Sequence, residues 1–159
     1  MTIQAGQNFT SSDGVTAQFG LGDEAEVSGA SWKYVKTSAA VVEGDALIIH
    51  DDGLASPLTT TLVTSTIVAD VGVAQFAIAS GEYGWVAIGP FGLKSDGTSF
   101  KVKAAASCAA DVKLYATATA GVVDDAVTAL ISGLRLTTAI VGAGLADCTA
   151  VLRIGVGRS

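Results

Sequence analysis

The sequence predicts an all-β fold, a compact sandwich or barrel of about ten short strands with an extended N-terminal arm. Three observations lead to this prediction. Apolar and polar side chains alternate over many short segments, β-branched and aromatic residues dominate those segments, and turn-forming residues separate them. A period of two is typical of a strand with one buried face, whereas an amphipathic helix would show a period of 3.6.

The predicted strands follow one another along most of the chain. They cover residues 15–21, 32–36, 46–50, 61–68, 71–78, 83–88, 99–103, 112–118, 134–140 and 150–156. Asp-Gly pairs and similar turn signals lie between them, and Asp96-Gly97 suits a tight hairpin. Two segments, 104–110 and 124–131, could form a helical turn, and Asp124 or Asp125 could cap the second.

Two regions differ in composition, and we divide the chain into an N-terminal arm, 1–30, and a β-domain, 31–159. The arm mixes Gly, Ser, Thr, Asn and Gln with isolated Phe9 and Phe19. Such a segment cannot bury enough apolar area by itself, so we expect it to order against another surface.

Charge is scarce and unevenly placed. Half of the 159 residues are apolar and only 15% are charged, whereas a soluble domain carries about 25%. This favours a surface that is partly buried in an assembly. The net charge of −6 resides in residues 1–60, which hold two basic and eight acidic residues. Neither half has the basic stripe that nucleic-acid binding requires, so no nucleic-acid partner is predicted.

The sequence predicts no membrane partner and no secretory signal. Spanning helices need about 20 mostly apolar residues, and the chain has no such segment. The first residues lack both a basic region and an apolar run, so we expect synthesis in the cytoplasm. Cys108 and Cys148 are then expected to be reduced and buried, with a disulfide as the less favoured alternative.

Residues with catalytic or metal-binding chemistry do not form a recognisable set. Neighbouring carboxylates, as in 51–52 and 124–125, point to opposite faces of a strand and are more common in turns and caps. His50 is the only histidine and lacks a nucleophile, and no Cys pair has zinc-ligand spacing. The sequence therefore predicts no enzyme, no catalytic residue, no cofactor and no metal.

The aromatic residues are the candidate interaction residues. Trp32 and Tyr34 share one face of a predicted strand, and Tyr83 and Trp85 share a face of another. Core packing is the default interpretation, and a subunit interface, where Trp and Tyr are enriched, is the alternative. The predicted interface set is Phe9, Phe19, Trp32, Tyr34, Tyr83 and Trp85.

Four segments in the second part of the chain carry a family resemblance. They are DVGVAQFAIASGEYGWVAIGPFGL from Asp70, CAADVKLYATATAGVVDD from Cys108, LISGLRLTTAI from Leu130 and CTAVLRIGV from Cys148. Their order resembles the head decoration (cement) proteins of tailed bacteriophages over residues 40–156. The motifs that match are Gly72-Val73-Ala74, the turns at 79–82 and 117–121, and Ile131-Ser132-Gly133.

The resemblance implies a compact β-domain that binds the major capsid protein on the outside of an icosahedral shell as a homotrimer. We therefore expect a capsid decoration protein on the virion exterior that stabilises the shell. The alternatives are a virion tail or fibre component and, in a different class, a small carbohydrate-binding β-domain with Trp32 or Trp85 as a stacking platform. The first 40 residues do not follow the family pattern.

The arm is expected to contribute to shell attachment. Phe9 and Phe19 would act as apolar anchors, and Asp13, Asp23, Glu24 and Glu26 could meet a basic patch by complementary charge.

Overall fold

The computed structural model describes residues 7–65 and 69–157, and within these ranges the chain is almost entirely β. This confirms the all-β prediction. The strands and the helix, in chain order, are β1 (Glu24–Val27), β2 (Ala30–Thr37), β3 (Ala46–Ile49), β4 (Leu54–Pro57), α1 (Thr60–Ser65), β5 (Asp70–Val73), β6 (Tyr83–Ala87), β7 (Phe100–Ala104), β8 (Leu114–Ala116), β9 (Val123–Asp124), β10 (Ala129–Leu136) and β11 (Gly144–Val156).

Five strands close into a barrel, which we call the first ring. Strand β2 pairs with β4 and β6, β3 pairs with β4 and β5, and β5 pairs with β6. The β2–β4 pair is parallel and the other pairs are antiparallel. An apolar cluster fills the interior: Val35, Val41, Leu47, Ile49, Ala55, Ala74, Ile78, Val86 and Ile88.

Two strand glycines give this interior its room. A Cβ on Gly72 would lie 2.7 Å from Cγ2 of Val86, and a Cβ on Gly84 would lie 2.8 Å from Cδ1 of Ile78. Neither glycine needs a left-handed backbone. The close approach of branched side chains across the narrow barrel is what requires glycine there.

The pairings of the last five strands close a second ring in the order β7–β9–β8–β10–β11. The two rings meet where Gly155 of β11 pairs with Asp70 of β5. Between the Ser132 and Leu134 pairings the register of β10 and β11 shifts, because several β11 residues bulge opposite Gly133. The bulge takes β11 away from β10 towards the first ring.

A second apolar cluster, the shared core, joins the rings. The outer face of the first ring contributes Trp32, Tyr34 and Trp85, and the second ring contributes Phe100 and Leu114 among others. Phe100 links the two, with ring centroids 5.5 Å from Trp32 and 4.3 Å from Phe91. The rings therefore pack as one body around an aromatic layer.

The predicted strand at 61–68 is wrong for residues 61–65, which lie in α1, while residues 66–68 lie outside the described residues. Thr59 caps the helix, because its Oγ1 accepts a hydrogen bond from the Leu62 N–H at 3.3 Å. The Thr64 hydroxyl donates to the Thr60 carbonyl at 3.0 Å, and Val63 is buried. These local bonds and one core contact outweigh the strand preference of β-branched residues.

Other local predictions also need correction, and the predicted strands at 71–78 and 134–140 end early, at Val73 and Leu136. Residues 124–131 form no helix: β9 ends at Asp124 and β10 begins at Ala129. Residues 104–110 leave β7 through turns. Residues 15–21 form bends, and the strand of this region, β1, lies further along the chain. Distant residues hold these segments: β9 and β10 pair with β8, the Ser107 N–H donates to the Val141 carbonyl, and the Gln18 N–H donates to the Tyr34 hydroxyl. Local residue patterns cannot reveal such partners.

Candidate interaction surface

Residues 7–22 lie across the aromatic face of the first ring. The Phe9 ring lies 5.0 Å from Trp32 and 5.3 Å from Trp85 between centroids. The Phe19 ring lies 5.4 Å from both Tyr34 and Trp85. The two phenylalanines therefore anchor this segment to the chain's own β-domain.

Hydrogen bonds hold the same segment in place. The Asp13 N–H donates to the Tyr83 carbonyl at 2.9 Å, and the Tyr83 N–H donates to the Gly14 carbonyl at 3.0 Å. The Tyr34 hydroxyl donates to Oδ2 of Asp13 at 2.8 Å and accepts from the Gln18 N–H at 3.0 Å. Burial is the main cause that raises the pKa of Tyr34 to about 12, so this hydroxyl keeps its proton.

The aromatic interface prediction divides into two parts. Tyr34 and Trp85 have no exposed surface and Trp32 is 5% exposed, so core packing explains these three. Neither tryptophan offers a face for a sugar, which argues against the carbohydrate-binding alternative. Phe9, Phe19 and Tyr83 are half-buried, and the interface stays a prediction for them.

The strand β1 leads directly into the β-domain. It forms a hairpin with β2, and the predicted boundary between residues 30 and 31 falls inside β2. Ser28 and Gly29 connect the strands with φ angles of 51° and 79°, the positive values of a tight two-residue hairpin turn. The N-terminal segment is thus continuous with the first ring through hydrogen-bonded strands.

The acidic residues of this region are mostly engaged within the chain. Asp13 accepts from Tyr34, and Oδ2 of Asp23 accepts from the Gly20 N–H at 3.0 Å. Glu24 pairs with Arg153. Glu26 is exposed and has no hydrogen-bond or ion-pair partner among the described residues, which makes it the carboxylate that remains available to a partner.

An ion cluster ties β1 and β2 to β5 and β11. Lys33 Nζ lies 2.6 Å from Oδ2 of Asp70, and Arg153 contacts both Asp70 and Glu24. Burial alone would raise the pKa of Asp70, but the hydrogen bonds from Arg153 and Lys33 outweigh it and lower that pKa. The cluster therefore stays ionised at neutral pH and fixes β1 against the bulge of β11.

A cleft of about 220 Å³ opens beside the β1–β2 hairpin. Apolar and polar side chains both line it. The lining residues are Phe9, Thr10, Val27, Ala30, Trp32, Gln75, Lys94, Ser95, Asp96 and Phe100. Gln75 is fixed, because its Nε2 donates to the Lys101 carbonyl at 2.9 Å and its Oε1 accepts from the Lys101 N–H at 3.0 Å.

One group within residues 7–65 and 69–157 brings three potential metal ligands together, with the donor atoms of Cys108, Asp124 and Asp125 within 4.8 Å of one another. Asp125 accepts from the Ala109 N–H at 2.9 Å, and Asp124 accepts from the Asp125 N–H at 2.8 Å. Burial, and then the two carboxylates, raise the pKa of Cys108 to about 11. The hydrogen bond from the Ala109 N–H to Asp125 ties the turn after β9 to the turns after β7.

The remaining residues considered from the sequence lie in ordinary structural settings. Cys108 and Cys148 are free and buried. His50 lies in the turn between β3 and β4. Its backbone N–H donates to the Leu54 carbonyl at 2.9 Å, and its backbone carbonyl accepts from the Gly53 N–H at 2.9 Å. Asp52 closes the same turn by accepting from the Leu54 N–H. No helix in the described part of the chain is long and apolar enough to cross a membrane.

Large apolar side chains are exposed at several places on the surface. Val151 and Leu152 are adjacent in the β11 bulge and expose 56% and 67% of their surface. The others are Val15, Leu21, Val42, Leu54, Leu93, Val127, Val141 and Leu145. Sequence periodicity could not find the bulge pair, because the bulge interrupts the alternation that would have buried one of the two side chains.

Comparison with known proteins gives no relative: no family model matches the chain, and neither a curated protein nor a solved structure is significantly similar to it.

Proposed function

We propose that this chain is a capsid decoration protein that binds the major capsid protein on the outer face of a tailed-phage head and stabilises the shell. The resemblance of residues 40–156 to decoration proteins supplies the family. The chain would act by binding alone, so we propose no catalytic residue and no cofactor. The virion exterior is the corresponding location.

The observation that carries the proposal is the exposure of large apolar side chains on a surface with few charges. Val141, Val127 and Leu152 expose 90%, 80% and 67% of their surface, in a chain with only 15% charged residues. Apolar area left in water costs about 25 cal/mol per Å², and an assembly that covers it recovers that free energy. A protein that works by packing against a shell and against its own copies has this kind of surface.

Copies of the chain are proposed to form a homotrimer on the shell. A trimer on a local three-fold axis engages three identical sites at once, so weak individual contacts add up to strong attachment. Sedimentation of the purified protein at micromolar concentration tests this part. A monomer in solution that also remains monomeric on the shell contradicts the trimer without contradicting shell binding.

Shell binding is tested with undecorated heads assembled from the major capsid protein encoded in the same genome. Heads are incubated with the protein, separated from free protein on a gradient, and heated while their integrity is monitored. A ligand that binds only the intact shell stabilises it by mass action, by about 2.7 kcal/mol per site at a hundred times its Kd. We expect co-migration and a higher melting temperature.

The alternatives give different results in the same preparation. A tail or fibre component would bind purified tails and leave heads undecorated. A carbohydrate-binding domain would be retained by immobilised glycans and released by free sugar. If the protein neither co-migrates with heads nor raises their melting temperature, the decoration function is wrong.

A further inference from the structure

Strand β1 is the one strand in the described part of the chain that pairs on a single side. The other ten strands each have at least two partners, because they belong to the two closed rings. β1 lies outside both rings and pairs with β2 alone. An unpaired strand edge can pair with another extended chain. Among the described strands, the closed rings have no such edge, so β1 supplies it.

The register identifies which backbone groups this edge presents. The backbone N–H and C=O groups of Tyr34 and Trp32 in β2 point towards β1. The Tyr34 N–H donates to the Asp23 carbonyl at 2.8 Å, and Trp32, two residues before Tyr34, lies opposite Ala25. Hydrogen-bonded pairs alternate along an antiparallel ladder, so Ala25 and Val27 bond to β2. The N–H and C=O groups of Glu24 and Glu26 therefore point away from β2, and neither residue bonds to backbone elsewhere in the described chain.

The two faces of β1 differ in chemistry. Glu24 and Glu26 project on one face, and Ala25 and Val27 project on the other, beside Trp32. Val27 also lines the cleft of about 220 Å³. A strand added along β1 would place every second side chain on the cleft side and the remaining ones beside Glu26.

A second copy of β1 is a poor occupant of this edge. Antiparallel pairing of two β1 strands would bring the glutamates of one copy next to those of the other on one face. Like charges directly opposite each other destabilise a strand pair. Glu26 is exposed and unpaired among the described residues, so opposite charge on the partner is favoured instead.

We infer that the free edge of β1 binds an extended segment of the partner protein in which apolar residues alternate with lysine or arginine. Apolar side chains of that segment enter the cleft beside Val27 and Trp32. Its basic side chains lie beside Glu26, and its backbone bonds to Glu24 and Glu26. This inference deepens the proposed function and rests on it only for the source of the segment, the shell protein.

The probe is a short peptide in which lysine and valine alternate, titrated into the full-length protein while tryptophan emission is recorded. Trp32 lines the cleft, so we expect its emission to change on binding. Hydrogen exchange gives the backbone readout, since the amides of Glu24 and Glu26 should exchange rapidly in the free protein and become protected with peptide. A glutamate–valine peptide should bind at least tenfold more weakly, and a backbone N-methylated peptide should not bind.

Two substitutions at one exposed position separate backbone pairing from charge. Glu26→Pro removes an N–H that faces away from β2, so the hairpin keeps its hydrogen bonds while the edge loses a donor. Affinity should fall at least tenfold. Glu26→Gln keeps the donor and removes the charge, and should cost a few-fold with a weaker salt dependence. Asp111→Asn, an exposed charge in the turns between β7 and β8, should leave affinity unchanged.

Several results would overturn the inference. Slow exchange of the Glu24 and Glu26 amides in the free protein would mean that the edge is already covered. Equal binding by the N-methylated peptide, or by Glu26→Pro protein with unchanged circular dichroism, would remove strand pairing. If the wild-type and Glu26→Pro proteins decorate heads equally well, the β1 inference fails and the proposed function stands. If the protein binds the peptide but never binds heads, the proposed function fails and the β1 inference stands.

Discussion

The two rings bury their apolar side chains in different ways. The first ring encloses a sealed cluster of aliphatic residues, with glycines at positions 72 and 84 where the barrel is narrow. The second ring has no separate core, because its interior is continuous with the aromatic layer on the outside of the first ring. The N-terminal segment covers that layer through Phe9 and Phe19. The first ring's interior is thus complete without the segment, whereas the shared core depends on it.

The largest expected effect comes from Trp85, at the centre of the shared core. Trp85 has no exposed surface and contacts Phe9, Phe19 and Tyr34. Trp85→Ala should lower the free energy of unfolding by about 3–5 kcal/mol, measured by urea denaturation. Trp85→Phe is the matched control. The Trp85 Nε1–H has no acceptor in the described part of the chain, so Trp85→Phe forfeits no hydrogen bond and should cost clearly less.

A smaller loss is expected from overpacking the first ring. Gly72→Ala places a methyl group 2.7 Å from Cγ2 of Val86, and relief of that clash should cost about 1–3 kcal/mol of unfolding free energy. Gly92→Ala serves as the control, since a Cβ there meets no atom within 4 Å. Hydrogen exchange should quicken in β3 and β6. Equal losses for both variants would mean that the glycine effect is not due to packing.

The contact between the N-terminal segment and the first ring should contribute less. Tyr34→Phe removes the hydrogen bonds to Asp13 and Gln18 and should cost about 1 kcal/mol. The Gln18 amide should then exchange faster while β3 amides do not change. Tyr83→Phe is the comparison, because no bond of the Tyr83 hydroxyl occurs among the described residues. If both variants are equally stable, these hydrogen bonds do not hold the segment.

The last expected effect is absent at neutral pH and appears only at alkaline pH, as a loss of unfolding free energy. Burial raises the pKa of Cys148 from 9.0 to about 12, and the shared core that contains it also holds Cys108 and Tyr34. A group with a raised folded-state pKa contributes stability that is complete below its unfolded pKa and lost as the pH rises through the folded one. Unfolding free energy should therefore fall between about pH 9 and 12.

The loss should begin in the shared core, since the cluster inside the first ring is wholly aliphatic. Hydrogen exchange at several pH values would resolve the two rings. Cys148→Ala should flatten the upper part of the pH profile. A profile that is flat in the wild type would contradict the assignment of neutral buried thiols.

The segments predicted best are those whose conformation matches their local pattern. β2, β3, β6 and β7 lie within one or two residues of the predicted strands, because each alternates buried with less buried residues or is nearly continuously buried. The strands that were missed, β1, β4 and β9, are short and owe their conformation to a neighbour. β9 pairs with β7 at a single position and with β8 at two.

The candidate interaction surface was only partly accessible to prediction. The sequence pattern alone placed Trp32 with Tyr34, and Tyr83 with Trp85, on common strand faces. In the structure these two strands, β2 and β6, are paired, with Tyr34 directly opposite Trp85. Whether such a face is core or interface depends on what covers it. Phe9 and Phe19 come from a segment whose own sequence gives no sign of where it packs.

By itself the sequence determined the all-β class, the turns at Asp-Gly pairs, and the scarcity of charge that favours an assembled protein. These are properties of single residues and of near neighbours. Only the tertiary structure decided that two rings close, that aromatic side chains lie inside, and that β1 keeps a free edge beside Glu26. Ring closure depends on pairing between residues far apart in the chain, such as Gly155 with Asp70, and strand edges exist only after every other pairing has been made.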